Sequence, residues 1–233
     1  MTLTSVEIEA ISLSLVIAII SVIICLPLGL ATAWLLVRRN FPGKIILSGI
    51  VYVPLVLPPV VVGYLLLVTL GKKGIFGAWL WEHLGVAVAF TWKGAAIAAC
   101  VMSFPLMVRA IKLSLENIDV GIEAAAKTLG APNWWVFMSI TLPMIIPGLI
   151  TGSILTFARS LGEFGATIAF VGNIPGETQT LPLALWTLIE TSNSNNEIIR
   201  LGLISVCLSL LALLIATNIE KKFLDKLKNG KIN

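Results

Sequence analysis

Apolar residues in this chain come in blocks. Residues 10–37 hold no Asp, Glu, Lys or Arg, and neither do 45–71, 94–108, 128–158 and 201–219. A helix needs about 20 mostly apolar residues to cross the hydrocarbon of a bilayer. Four of the blocks meet or nearly meet that length. The block 94–108 meets it once extended back across Lys93, whose long side chain can reach the interface. The pattern predicts five membrane spans, at about 9–37, 45–70, 87–110, 138–160 and 199–219. Between 161 and 198 only 164–172 and 181–189 are apolar, and neither is long enough to span. This stretch is read as a broken or re-entrant segment on the outer side, with a sixth full span as the alternative. The first span is not a cleaved signal peptide, because Glu7 and Glu9 precede it in place of a basic segment and it is too long.

Composition agrees with that class. The chain is 58% hydrophobic and 12% charged, against about 25% charged for a soluble domain. Its mean hydropathy is +0.99. Lys and Arg concentrate on the cytoplasmic side of membrane proteins. Arg38, Arg39 and Lys44 follow the first span. Arg109, Lys112 and Lys127 lie between the third and fourth. Lys221, Lys222, Lys226, Lys228 and Lys231 follow the fifth. In a five-span chain these 11 of the 16 basic residues share one side. Lys72, Lys73, Lys93 and Arg200 fall on the other, and Arg159 lies in or beside a span. The N-terminus is therefore expected outside and the C-terminus in the cytoplasm. The net charge of +4 reports topology, not nucleic-acid binding. Trp79, Trp81 and Trp92 are expected in the outer aromatic belt, Trp134 and Trp135 in the inner one.

This orientation places residues 111–137 in the cytoplasm. Residues 119–130 predict a short helix there. Asp119 is a candidate N-cap, Glu123 suits the first turns, Gly130 supplies a left-handed stop and Pro132 blocks continuation. Ala124, Ala125 and Ala126 allow close approach by another backbone. The segment resembles the first half of a DNA-binding helix-turn-helix. The run after its turn, "NWWVFMSITLPMIIPGLI", enters the membrane and carries no base-reading side chains, so that reading and the membrane-anchored regulator it implies are set aside.

The run "AAAKTLG", nine residues, Ile140, one residue and Leu142-Pro143 resembles the cytoplasmic signature of permease subunits of ABC importers. That signature opens with Glu where this chain has Ala124, and Glu123 stands one residue early. Ala125, Ala126, Gly130, Ile140, Leu142 and Pro143 match. The stretches "LPPVVVGYLLL" (57–67) and "FARSLGEFGATIAFVGNIPGETQTLPLALWTLIE" (157–190) resemble the molybdate-type permeases of the oxyanion branch. Sulfate permeases are similar but less so over the second stretch. The resemblance implies an all-α membrane protein with the type I importer permease fold and a cytoplasmic coupling helix docked on an ATPase subunit. It implies Glu123, Ala124, Ala125, Ala126, Gly130 and Ala131 as docking candidates. It also implies a homodimer with a pore at its interface, an external or periplasmic oxyanion-binding protein, and a bacterial or archaeal plasma membrane. ATP and Mg²⁺ would sit on the partner ATPase. Tungstate or sulfate is the alternative substrate.

Two further stretches invite function. The second span holds Pro54, Pro58, Pro59 and Gly63, and proline inside a helix bends it and frees carbonyls that need partners away from lipid. Arg159 and Glu163 are spaced to pair on one helical face. Arg159 lies about 26 Å along a helix from Leu142, near the outer end of the hydrocarbon. The pair reads either as an outer gate or as a lock on the fold. Pro58, Pro59, Gly63, Arg159, Gly162, Glu163 and Gly165 are the pore or gate candidates. The pair also admits another class, an ATPase-independent channel or secondary carrier. Cys25, Cys100 and Cys207 read as small buried hydrophobes and His83 as interfacial. The chain shows no phosphate-cradling loop, catalytic triad or metal-ligand spacing, so neither catalysis nor a bound cofactor is expected of it.

Overall fold

A computed structural model describes residues 4–191 and 195–228. Its helices are α1 (Ser5–Arg38), α2 (Lys44–Val56), α3 (Pro59–Leu70), α4 (Ile75–Leu84), α5 (Trp92–Glu116), α6 (Val120–Thr128), α7 (Asn133–Val136), α8 (Leu142–Leu161), α9 (Gly165–Val171), α10 (Leu181–Thr191) and α11 (Asn195–Lys228). A π turn, Phe137–Thr141, joins α7 to α8 without ending the helix. Among the described residues, four helices are long and apolar enough to cross a membrane. The bent pair α2–α3 passes the same test only if its two halves are taken together as one span.

Local chemistry sets the helix starts. Thr4 and Glu7 form a reciprocal cap on α1. The Thr4 hydroxyl accepts from the Glu7 N–H at 3.3 Å, and the Glu7 carboxylate accepts from the Thr4 N–H at 2.8 Å. The same carboxylate accepts from Arg200 of α11, Nε at 3.0 Å, and so ties the N-terminal ends of α1 and α11. In the sequence Arg200 carries a topology signal alone, because Glu7 lies 193 positions away. The third span starts at Trp92 and not at 87. Phe90 takes a left-handed φ of 61° and Thr91 caps the helix, accepting from the Gly94 N–H at 3.3 Å. The connection before it contains α4, closed by a left-handed Gly85. There His83 stacks on Trp79 at 5.1 Å.

The second span is broken, not merely bent. The axis turns by 118° between α2 and α3. Pro58 holds Leu57 in an extended conformation, and Pro59 opens α3. The two halves pack into different clusters. Val51 of α2 joins one with Leu36, Ile111, Leu115 and Ile145. Val62 of α3 joins another with Ala95, Ala99, Ala166 and Phe170.

α5 is the central helix, with α1 running parallel and α8 antiparallel to it, as the pairs Ser21–Ala96, Cys25–Cys100 and Gly148–Ser114, Ser160–Ser103 show. Small residues let the helices approach closely. Ala95, Ala98 and Ala99 are fully covered, and a side chain at Gly148 of α8 would overlap Ser114 of α5. The apolar part of α11, Asn195–Ile215, is almost uncovered by the rest of the chain. Cys207 lies exposed on it, which corrects the expectation of burial. Cys25 and Cys100 face each other between α1 and α5 with sulfurs 2.9 Å apart. Lys231, one of the topology signals, lies outside the described residues.

Candidate functional site

Two regions hold the candidate residues, one at each end of the bundle.

The first is α6 and its supports. Asp119 is the N-cap, its Oδ1 accepting from the Gly121 N–H at 2.8 Å. Gly130 follows the helix with φ +89°, and nothing crowds its Cα. Leu129 closes the helix as its C-cap. Ala124, Ala125 and Gly130 are exposed, and Ala126 and Ala131 half-buried. Glu123 departs from the docking role expected of it. It is buried and faces the membrane domain. Its Oε1 accepts from Arg38, in the last turn of α1, and from the Thr141 hydroxyl at the start of α8, each at 2.8 Å. Arg38 lies 5.9 Å from the Trp34 ring centre, and Trp34 meets Phe137 edge-on at 5.0 Å. One carboxylate thus fastens α6 to two spans.

At about 100° per residue, Val120, Glu123 and Lys127 share one face of α6, and Ile122, Ala125 and Leu129 share the opposite one. The second face is apolar and uncovered, with Ile122 at 44% and Leu129 at 89% exposed. The resemblance points to the alanines and misses these two larger residues. The helical spacing of apolar side chains facing away from the bundle is the signal that could have found them.

The second region lies where α3 crosses α9. The structure gathers most gate candidates there. A side chain at Gly63 would overlap Ala166, and one at Gly165 would lie 2.8 Å from Pro59. Glu163 is 2% exposed and pairs with Arg159 at 2.6 Å. Its other oxygen accepts from the Ala166 N–H at 2.8 Å, in the first turn of α9. Glu163 therefore holds the break between α8 and α9, with Gly162 as the C-cap of α8. Pro58 caps the facing helix. Phe164 packs on Trp186 of α10 at 5.6 Å, and Ser14 of α1 accepts from the Leu181 N–H at 2.7 Å.

Between α2 and α5 lies a recess of about 470 Å³ lined by Tyr52, Arg109, Lys112 and Glu116. Lys44 joins Lys112 in the adjoining recess. In the sequence these cations read only as topology signals, because α2 and α5 are far apart along the chain. Among the described residues no group of His, Cys, Asp and Glu could hold a metal ion.

Residues 25–226 match the family described as binding-protein-dependent transport system inner membrane component. The chain is 56% identical over 216 residues to the molybdenum transport system permease protein ModB of Escherichia coli K12, covering 93% of this chain and 94% of that one. It is 40% identical over 210 residues to the sulfate transport system permease protein CysW of Synechococcus elongatus, covering 88% and 73%. Among solved structures, a chain of a bacterial ABC transporter for alginate import superposes with TM-score 0.78 at 17% identity, covering 94% of this chain and 80% of that one.

Proposed function

The chain belongs to the inner membrane components of binding-protein-dependent transport systems, and on that premise we propose that it forms the pore of a molybdate importer, as a homodimer driven by separate ATPase subunits. The chain is a transport permease subunit of an ABC importer, not an enzyme. The observation that carries the substrate is the identity to the molybdenum permease, well above that to the sulfate permease. Sulfate is the second reading on the strength of that same relative, and tungstate shares molybdate's charge and shape. The ATPase-independent carrier is set aside by the family.

The geometry supports a mechanical path. With the N-terminus outside, α6 lies in the cytoplasm. Its Ile122–Ala125–Leu129 face docks in a groove of an ATPase subunit, where ATP and Mg²⁺ reside. Its other face holds Glu123, so a displacement of α6 carries the ends of α1 and α8 with it. The π turn at 137–141 gives α8 a point of compliance below Pro143 and Pro147. At its far end α8 breaks at Gly162–Glu163 into α9, and α9 packs on α3. Closure of the ATPase dimer would thereby move the α3–α9 crossing and switch access from inside to outside. An external binding protein then delivers the oxyanion. A homodimer places two α2–α3 pairs around one axis, with Lys44, Arg109 and Lys112 of each as a weak anion exit toward the cytoplasm. Of the gate candidates only Arg159 carries a positive charge. Selectivity on this reading belongs mainly to the binding protein.

The test is reconstitution of the permease with its ATPase and binding protein in proteoliposomes. ATP-dependent uptake of molybdate that exceeds sulfate uptake is expected. Uptake without ATP, or with sulfate preferred, would overturn the assignment.

A further inference from the structure

A cavity of about 910 Å³ lies beneath α6, on the side away from the proposed ATPase face. Its lining is graded along α1. Pro27, Leu30 and Ala31 form the deep end and Trp34 the middle. Arg38, Arg39 and Lys127 form the shallow end. From Pro27 to Arg39 is about 18 Å along the helix. Half of a bilayer's hydrocarbon is about 15 Å. The cavity therefore runs one leaflet deep, from acyl depth to headgroup depth.

The shallow end is short of anions. Glu123 is the one carboxylate among its lining residues, and it is committed to Arg38 and Thr141. The Nε of Arg38 is buried with no acceptor. Neither Arg39 nor Lys127 has an ion-pair partner among the described residues. Buried donors without acceptors are rare in folded proteins. Basic pockets between spans on the cytoplasmic side suit anionic lipid headgroups.

We propose that this cavity holds one anionic phospholipid of the inner leaflet, its phosphate against Arg38, Arg39 and Lys127 and an acyl chain along Leu30 and Pro27. The ligand chemistry is a phosphate oxyanion, and the apolar deep end selects the lipid over a free anion. The occupant touches the residues that fasten α6 to α1, so lipid composition would tune coupling. The inference rests on the orientation proposed above, and its effect on coupling rests on the docking role.

The test uses the intact permease–ATPase complex, with native mass spectrometry after exchange into phosphatidylglycerol or phosphatidylcholine. Wild type is expected to retain one phosphatidylglycerol per permease chain and to release phosphatidylcholine. The variant Arg39→Gln/Lys127→Gln alters two exposed side chains and leaves the Glu123 network intact. It is expected to lose roughly 25-fold in phosphatidylglycerol affinity, at about fivefold per charge. Equal retention of the two lipids, or retention unchanged in the variant, overturns the site. Binding of inorganic phosphate or molybdate in place of lipid, lost in the variant, overturns the lipid assignment in favour of a free oxyanion. ATPase co-elution is read in the same samples. Its loss with lipid retained sinks the docking reading and leaves the lipid site standing.

Discussion

Glu123 and Glu163 are both buried carboxylates paired with arginine, yet they do opposite things. Glu163 works locally. Its partners, Arg159 and Ala166, lie within four residues, so it fixes a corner between consecutive helices. Glu123 works at long range. Arg38 is 85 positions away and Thr141 is 18 away, so it joins three segments that could otherwise move separately. A local pair stiffens one place. A long-range pair makes a part move with its neighbours, which is what the coupling role proposed for α6 requires.

Substitutions should separate the two roles. The largest effect is expected from Glu123→Ala. It leaves the partly buried Arg38 without its carboxylate partner, at a cost of about 1.5–3 kcal/mol. Thermal unfolding should show that loss. The double change Arg38→Met/Glu123→Leu should recover much of it, since no buried charge is stranded. In proteoliposomes the double variant should still hydrolyse ATP but move less molybdate per ATP. Gly63→Val comes next. Its side chain would run into the Ala166 backbone, and overpacking of this kind costs about 1–3 kcal/mol. Uptake should fall with ATPase binding intact. Glu163→Gln is smaller. The amide oxygen can still accept from Ala166, and only the half-exposed Arg159 loses a partner, so about 1 kcal/mol is expected in the same melting measurement. If Glu163→Gln uncoupled ATP hydrolysis from uptake while the Arg38/Glu123 double variant did not, the two roles would be reversed.

Much of this was legible in the sequence, and the reasons are physical. Charge-free runs showed the spans, because lipid demands a continuous apolar surface. Asp119, Gly130 and Pro132 showed α6, because capping is a local signal. The proline cluster at 54–59 showed a disturbance, though not a 118° break. Arg159 and Glu163 were found because their spacing is helical. What stayed hidden was non-local. Nothing near Glu123 names Arg38 as its partner, so its inward direction could not be read. Gly63 and Gly165 gained meaning only when α3 and α9 met. Lys44, Arg109 and Lys112 looked like topology signals until α2 and α5 lay side by side.

The central claim is that α6 has two faces, one tied to the spans and one free for the ATPase. Leu129→Glu tests it most directly, since Leu129 is 89% exposed and the change should leave the melting temperature of the permease unaltered. A charge in the centre of a docking surface should weaken the ATPase complex by about 2 kcal/mol, roughly 30-fold. Co-elution of the ATPase and ATP-driven molybdate uptake, measured on one preparation, should both fall steeply. A variant that still co-elutes with the ATPase and transports at the wild-type rate would contradict the account.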